Sequence, residues 1–529
     1  MMIRAHRNEG GRRNGLRGVG GLAGIGAALF LGSGSALAFD ADALPPVAQI
    51  EIERIDCPFS APLGETPICL MAHLPMRHGD LEPDGSLPED APRIGVHVTV
   101  LNNLSSSEIP NPVVFLSGGP GQAGSQALAG FGDALELRRN RAIVLVDQRG
   151  TGLSQPRLDC AEVSPAELDG NPFNDPDFDP DKAVSERFSA CHDIYVADGI
   201  ELSAFDTRSA ALDLRAIRKA LDLPQWNLMG TSYGGRLALD AMRVDPEGVR
   251  AAVLNSPLSL ASQADASLAD ERPRIFRQLF DDCAQDDFCA GTYGDLDEKF
   301  AALAAHFEDG PMRLQFRDPQ SGELVRREVS WVNVVEVLYQ HLAFSGSAMQ
   351  VPRFIAELHD VARGRLSLND DEVARIFGGA VDQIVDTLAL GQHLSVKCRE
   401  DYPIADEAAL TATMQENPVF FPDENPFRMY RLNCPVWDVG SAPDGFSAPL
   451  NSEIPTLILS GDADTLTPHV MAQGIASHLP NGQLVSFRGI GHDVHSSLLC
   501  GRSLVANFLD APDKPVDQSC VGDIRPRFE

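Results

Sequence analysis

Short unbroken apolar runs punctuate the first half of this chain, each ending in a polar or glycine-rich turn. They are NPVVFLSGGPG (Asn111–Gly121), RAIVLVDQRGTGLS (Arg141–Ser154), WNLMGTSYGG (Trp226–Gly235) and VRAAVLNSP (Val249–Pro257). IPTLILSGDADTLTP (Ile454–Pro468) and GQLVSFRGIGHDVH (Gly482–His495) complete the series near the far end. Apolar runs without alternation are expected of strands covered on both faces. Helical segments separate them, one around Gln126 to Arg138. Another runs from Thr207 to Leu221, with Ala211, Leu214, Ile217, Ala220 and Leu221 on one face. Strands alternating with helices predict an α/β fold around a mostly parallel, doubly wound sheet, with ligands beyond the carboxyl ends of its strands. Upstream, Ile50 to Ile55 and Cys69 to Leu74 read as a strand pair. Arg93 to Asn103, with Ile94, Val96, Val98 and Val100 alternating, reads as a half-buried strand. Residues 258–450 break the rhythm. Stretches such as DEKFAALAAHFEDG (Asp297–Gly310) and WVNVVEVLYQHLAF (Trp331–Phe344) predict a mainly helical insertion that caps the site. The sheet domain then comprises residues 39–257 and 451–529.

The turn after Trp226–Met229 carries the first chemical signal. Gly230 and Gly234 lie two positions before and after Ser232. A nucleophile elbow needs that spacing, because the serine backbone is strained and the strand and helix approach closely. A neutral hydroxyl is a weak nucleophile and needs a base. His492, on a glycine-flanked loop after the last strand, is the candidate, with His495 as its rival. A carboxylate to orient the imidazole should follow the preceding strand, where Asp462 and Asp464 both stand. The strand ending near Leu254 offers Asn255 and no carboxylate. Developing negative charge would be met by two backbone N–H groups, one from Tyr233 after the nucleophile and one from Gly119 in SGGPG.

Charge and cysteines narrow the setting. With 75 acidic against 43 basic residues and a net charge of −32, a nucleic-acid partner is disfavoured. Arg4, Arg7, Arg12, Arg13 and Arg17 precede an uncharged Gly/Ala/Leu-rich stretch ending in Ala36-Leu37-Ala38. These three parts predict a secretory signal peptide over residues 1–38. Sequence leaves open whether a twin-arginine route is used. The expected location is periplasmic or extracellular, with no membrane association after cleavage. All 10 cysteines lie beyond that point, and an even number in an exported chain predicts disulfides. Short loops close at least entropic cost, so pairing between sequence neighbours is expected. Neither a C-x-x-C nor a Cys/His cluster is present, and no metal or organic cofactor is expected.

SGGPG (117–121), VDQRGTGLS (146–154), GTSYGG (230–235), SGDADTLTP (460–468) and GIGH (489–492) together resemble the α/β-hydrolase peptidases of the prolyl and tripeptidyl aminopeptidase family. The secreted tripeptidyl-like branch is the most similar. That resemblance implies an α/β-hydrolase fold and selects Asp464 to complete a Ser232–Asp464–His492 triad, with Gly119 in the oxyanion loop. It also implies a structural role for Asp147 and Arg149, and a TAP-like C-terminal region from about residue 395. Ser117 stands where prolyl aminopeptidases carry His, and Tyr233 where they carry Trp, which favours the tripeptidyl-like branch. SVKCREDYP (Ser395–Pro403) resembles the segment returning from that branch's cap. Glu400 and Asp401 there are candidates for pairing a peptide's α-ammonium group. The implied activity is a serine exopeptidase acting on peptides with free N-termini. An esterase or lactonase would use the same triad, and a catalytically silent binding protein would not need it filled.

Overall fold

A computed structural model describes residues 44–60, 66–105, 111–132, 135–160, 180–260, 264–317, 324–377, 388–421 and 428–529. The predicted signal segment lies outside them. The strands are β1 (Glu51–Ile55), β2 (Ile68–Pro75), β3 (Arg93–Leu101), β4 (Val113–Leu116), β5 (Ile143–Val146), β6 (Trp226–Thr231), β7 (Val249–Asn255), β8 (Met312–Arg317), β9 (Leu324–Val329), β10 (Thr456–Gly461) and β11 (Gly482–Phe487). One sheet has the order β1-β2-β3-β5-β4-β6-β7-β10-β11. Its first three pairings are antiparallel and the remaining five parallel.

Two-sided burial explains the unbroken apolar runs. Val114, Leu116, Val144, Val146, Leu228 and Leu254 face one core with the helices Thr207–Ala220 and Tyr233–Val244. Their neighbours Val113, Ile143, Leu145, Met229, Val253 and Leu459 face the other, against Phe131 and the helix Leu499–Asp510. β3 departs from the half-buried expectation. Its second face, carrying His97 and Thr99, is covered as well. Ala220, expected on the buried face of its helix, is exposed at the helix end.

The stretch between β7 and β10 packs in two ways. Residues from Ile275 to Phe421 form their own core, built on Phe276, Phe300, Trp331, Phe354 and Phe420. The hairpin β8–β9, which no apolar pattern announces, belongs to this stretch. Leu394, Cys398, Cys434, Trp437 and Phe446 instead join the sheet's own core. All five disulfides link sequence neighbours: Cys57–Cys69, Cys160–Cys191, Cys283–Cys289, Cys398–Cys434 and Cys500–Cys520. The largest of these loops spans 36 residues. Among the described residues, no helix is long and apolar enough to cross a membrane.

The turn after β6 shows why glycine is required there. A Cβ on Gly234 would land on the Leu116 carbonyl, and one on Gly230 on the Gly234 carbonyl. Gly474 is a useful contrast, exposed on the helix His469–Ala476 with open space where a Cβ would stand. Gly234→Ala should therefore destabilise the protein by about 1–3 kcal/mol or more through overpacking. Gly474→Ala should stabilise it by up to about 1 kcal/mol. Thermal melting reads both signs, with Tm falling in the first variant and rising in the second.

Candidate active site

Ser232 occupies the sharp turn between β6 and the helix Tyr233–Val244, at φ 59° and ψ −123°. An L-residue adopts that conformation only when its surroundings over-determine it, at about 1–3 kcal/mol. Three backbone hydrogen bonds do so here: Ser232 N donates to the Asn255 carbonyl, and the Ser232 carbonyl accepts from Gly235 N and Leu258 N. The SGGPG loop runs directly alongside. A Cβ on Gly118 would stand 3.0 Å from the Ser232 Cβ. The next residue, Gly119, is at φ +106°, a region that favours glycine.

His492 and Asp464 meet as an ion pair. The imidazole Nδ1 lies 2.9 Å from Asp464 Oδ2 and 3.1 Å from Oδ1. A carboxylate facing Nδ1 fixes the proton there and leaves Nε2 as the acceptor. Burial works against charge on His492, but the Asp464 carboxylate outweighs it, and the pKa rises above its ordinary value. Asp464 is itself fully buried and receives Leu466 N and Thr467 N, each at 2.9 Å. Thr467 Oγ1 lies 2.9 Å from Asp464 Oδ2 and 2.8 Å from the Ser256 carbonyl. His492 N donates to the Ala343 carbonyl at the end of the insertion helix Trp331–Ala343, so the insertion holds the histidine loop.

The end of β7 joins these parts. Asn255 Nδ2 donates to Thr231 Oγ1 beside Ser232 and to Asp493 Oδ1 beside His492. Asp493 N donates to Ser256 Oγ. Sequence reasoning noticed Asn255 only for lacking a carboxylate and passed over Thr467, whose place three residues after Asp464 was its one visible signal.

The remaining expected residues divide clearly. Asp462 lies off the His492–Asp464 pair and braces the loops. Its Oδ1 accepts Gly489 N at 2.6 Å and Gln278 Nε2 at 3.0 Å. His495 is buried, its ring stacks near Phe131, and burial pushes its pKa down to about 4. Asp147 accepts from Ser125 N, Ser125 Oγ and Leu153 N. Arg149 forks onto Asp213, with Nε to Oδ2 at 2.7 Å and Nη2 to Oδ1 at 2.5 Å. Both therefore brace loops.

Glu400 and Asp401 do not stand open to a ligand's ammonium group as expected. Each is only 3% exposed. Glu400 accepts from Thr207 N at 2.7 Å and Thr207 Oγ1 at 2.8 Å. Arg236 Nη1 lies 3.2 Å from Glu400 and 2.8 Å from Asp401, and Lys397 lies 2.5 Å from Asp401. These carboxylates already have internal cations, as buried charges require. Burial pushes the Glu400 pKa up to about 8 in spite of Arg236. Among the described residues, no group of three or more His, Cys, Asp or Glu could hold a metal ion.

Residues 111–308, which hold Ser232 and the SGGPG loop, match the α/β hydrolase fold family. The chain has the α/β-hydrolase fold. Residues 422–520, which hold Asp464 and His492, match the TAP-like protein family. The hydrolase is 25% identical over 430 residues to serine protease Hip1 of Mycobacterium tuberculosis, covering 75% of this chain and 78% of that protein. It is 23% identical over 432 residues to tripeptidyl aminopeptidase of Streptomyces lividans, covering 74% and 72%. Among solved structures it is similar to proline iminopeptidase of Mycobacterium smegmatis, at 16% identity and a TM-score of 0.36, covering 79% and 96%.

The buried Glu400 predicts a pH effect on the hydrolase's stability. Its folded pKa, about 8, exceeds the ordinary 4.5, so the folded state holds a proton that the unfolded chain releases. Its contribution is fully present below pH 4.5 and is lost as pH rises towards 8. Glu400→Gln should flatten the fall in Tm across that window, which melting curves at a series of pH values would show.

Proposed function

We propose that this hydrolase is an exported serine exopeptidase, of tripeptidyl or prolyl aminopeptidase type, that cleaves peptide bonds near free N-termini. The observation that carries the reading is the Asp464–His492 pair, tied through the end of β7 to a serine held in the conformation of a nucleophile elbow. The relatives named as a serine protease and a tripeptidyl aminopeptidase span about three quarters of the chain and support the same chemistry. Five disulfides and the basic-then-apolar opening of the sequence support export.

In this mechanism Ser232 Oγ attacks the scissile carbonyl while His492 Nε2 takes its proton. Asp464 holds the imidazole tautomer and stabilises the imidazolium. The new oxyanion is received by the N–H groups of Gly119 and Tyr233. His492 then protonates the leaving amine, and water hydrolyses the acyl-enzyme by the same steps in reverse roles. Thr467 and the N–H groups of Leu466 and Thr467 keep Asp464 in register with the imidazole. The insertion between β7 and β10 limits access to short or unstructured peptide ends.

Ser232→Ala should abolish turnover, by at least about 10⁴-fold, while leaving the melting curve unchanged. A variant that stays fully active would remove Ser232 from the chemistry. Because the base must be neutral, kcat/KM should fall on the acid side with a midpoint above 6.5. Asp464→Asn should move that midpoint down and slow turnover about 10⁴-fold. Tripeptidyl or aminoacyl arylamides with free amines should be cleaved and their N-acetylated forms spared. Equal cleavage of blocked substrates and simple aryl esters would favour an esterase.

A further inference from the structure

The helix Leu390–Val396 continues as a π-helical turn, Lys397–Asp401, and its contacts reach both sides of the candidate oxyanion site. At its start it holds the SGGPG loop. Ala389 N donates to the Gly121 carbonyl at 2.9 Å. His393 Nδ1 lies 3.0 Å from the Pro120 carbonyl. A carbonyl only accepts, so Nδ1 carries the proton and Nε2 accepts from the Tyr430 hydroxyl at 3.0 Å. Burial and the nearby Lys397 charge push the His393 pKa down to about 4, consistent with a neutral ring in that tautomer.

At its end the same helix holds the elbow. The Glu400 carboxylate accepts the Thr207 hydroxyl proton, so the Tyr233 hydroxyl, 2.9 Å away, donates in turn to Thr207 Oγ1. Arg236, one turn further along the elbow helix, pairs with Glu400 and Asp401. Tyr233, Arg236, Glu400 and Thr207 are all buried. The Cys398–Cys434 disulfide fastens the helix to Arg428–Trp437, which also supplies Tyr430. One rigid element thus touches the loop of Gly119 and the residue Tyr233, which carry the two N–H groups assigned to the oxyanion.

We infer that His393 and Glu400 are positioning residues that set the two oxyanion N–H donors at a fixed separation, His393 through Pro120 and Glu400 through Thr207 and Tyr233. This rests on the serine-hydrolase reading of Ser232. Donors of this kind act only when their geometry matches the transition state. Losing one costs about 10²–10³-fold in kcat, and a misplacement of about 1 Å costs about 10²-fold. The effect belongs in kcat and not in KM, because the ground-state carbonyl makes little use of the site.

The test is steady-state kinetics on the full-length protein with a free-amine tripeptidyl arylamide, for His393→Leu, His393→Gln, Glu400→Met, Glu400→Gln and Tyr233→Phe, with Ser232→Ala as the control. His393→Leu, Glu400→Met and Tyr233→Phe should lower kcat about 10- to 100-fold with KM changed less than about 3-fold. His393→Gln and Glu400→Gln, which keep a donor and an acceptor respectively, should recover most of that loss. Inhibition by a tripeptide aldehyde, which forms a tetrahedral adduct, should weaken by the same factor as kcat. If Glu400→Met does not fold, His393→Leu and Tyr233→Phe decide the matter alone. Folded variants with wild-type kcat, or with changes in KM only, would overturn the inference while Ser232→Ala remained inactive. Activity surviving in Ser232→Ala would instead overturn the reading beneath it.

Discussion

Ser232 holds a backbone conformation, φ 59° with ψ −123°, that no isolated peptide would keep. Much of the surrounding architecture follows from sustaining it. β6 and the following helix must approach so closely that Gly230 and Gly234 leave no room for a Cβ. The Asn255 carbonyl fixes the serine N–H, and the serine carbonyl is held by Gly235 and Leu258. The strain of about 1–3 kcal/mol is modest beside the cost of breaking those contacts, so the serine stays fixed at the end of a buried strand.

The charges around this turn are arranged in two layers with different jobs. Asp464 and His492 form a pair whose carboxylate is saturated by backbone N–H groups and Thr467, so the imidazole alone is left to exchange protons. Behind the elbow, Arg236 lies between Glu400 and Asp401, and Asp401 also meets Lys397. Removing Arg236 would take from both Glu400 and Asp401 the cation they share, which costs more than the pairs contribute. In the proposed mechanism the first layer serves the reaction, and the second holds the elbow helix against the segment returning from the insertion.

Much of this was legible in the sequence, for physical reasons. Strands of a doubly covered sheet must be apolar on both faces, so β4 to β7 and β10 appeared as apolar runs. The elbow was legible because its glycines are steric requirements, and His492 because it follows a strand end. The choice of Asp464 over Asp462 rested on family resemblance, since both residues stand in the same short segment after β10. Other features depend on contacts distant in sequence. Glu400 meets Thr207 across 193 positions and Arg236 across 164, so its acidity suggested a ligand where the fold supplies the partners. Asn255 works through its amide, which bonds in two directions at once, and residue type alone did not reveal that. The hairpin β8–β9 lies on the insertion and carries no strong apolar pattern.

The central claim is that the strained serine, the His492–Asp464 pair and two backbone donors converge on one reacting carbonyl. A crystal structure of the protein after reaction with a fluorophosphonate tests this most directly. The account predicts a covalent bond to Ser232 Oγ, with the phosphonyl oxygen about 2.7–3.1 Å from the N–H groups of both Gly119 and Tyr233. An adduct on another residue, or one on Ser232 whose oxygen meets neither donor, would contradict it.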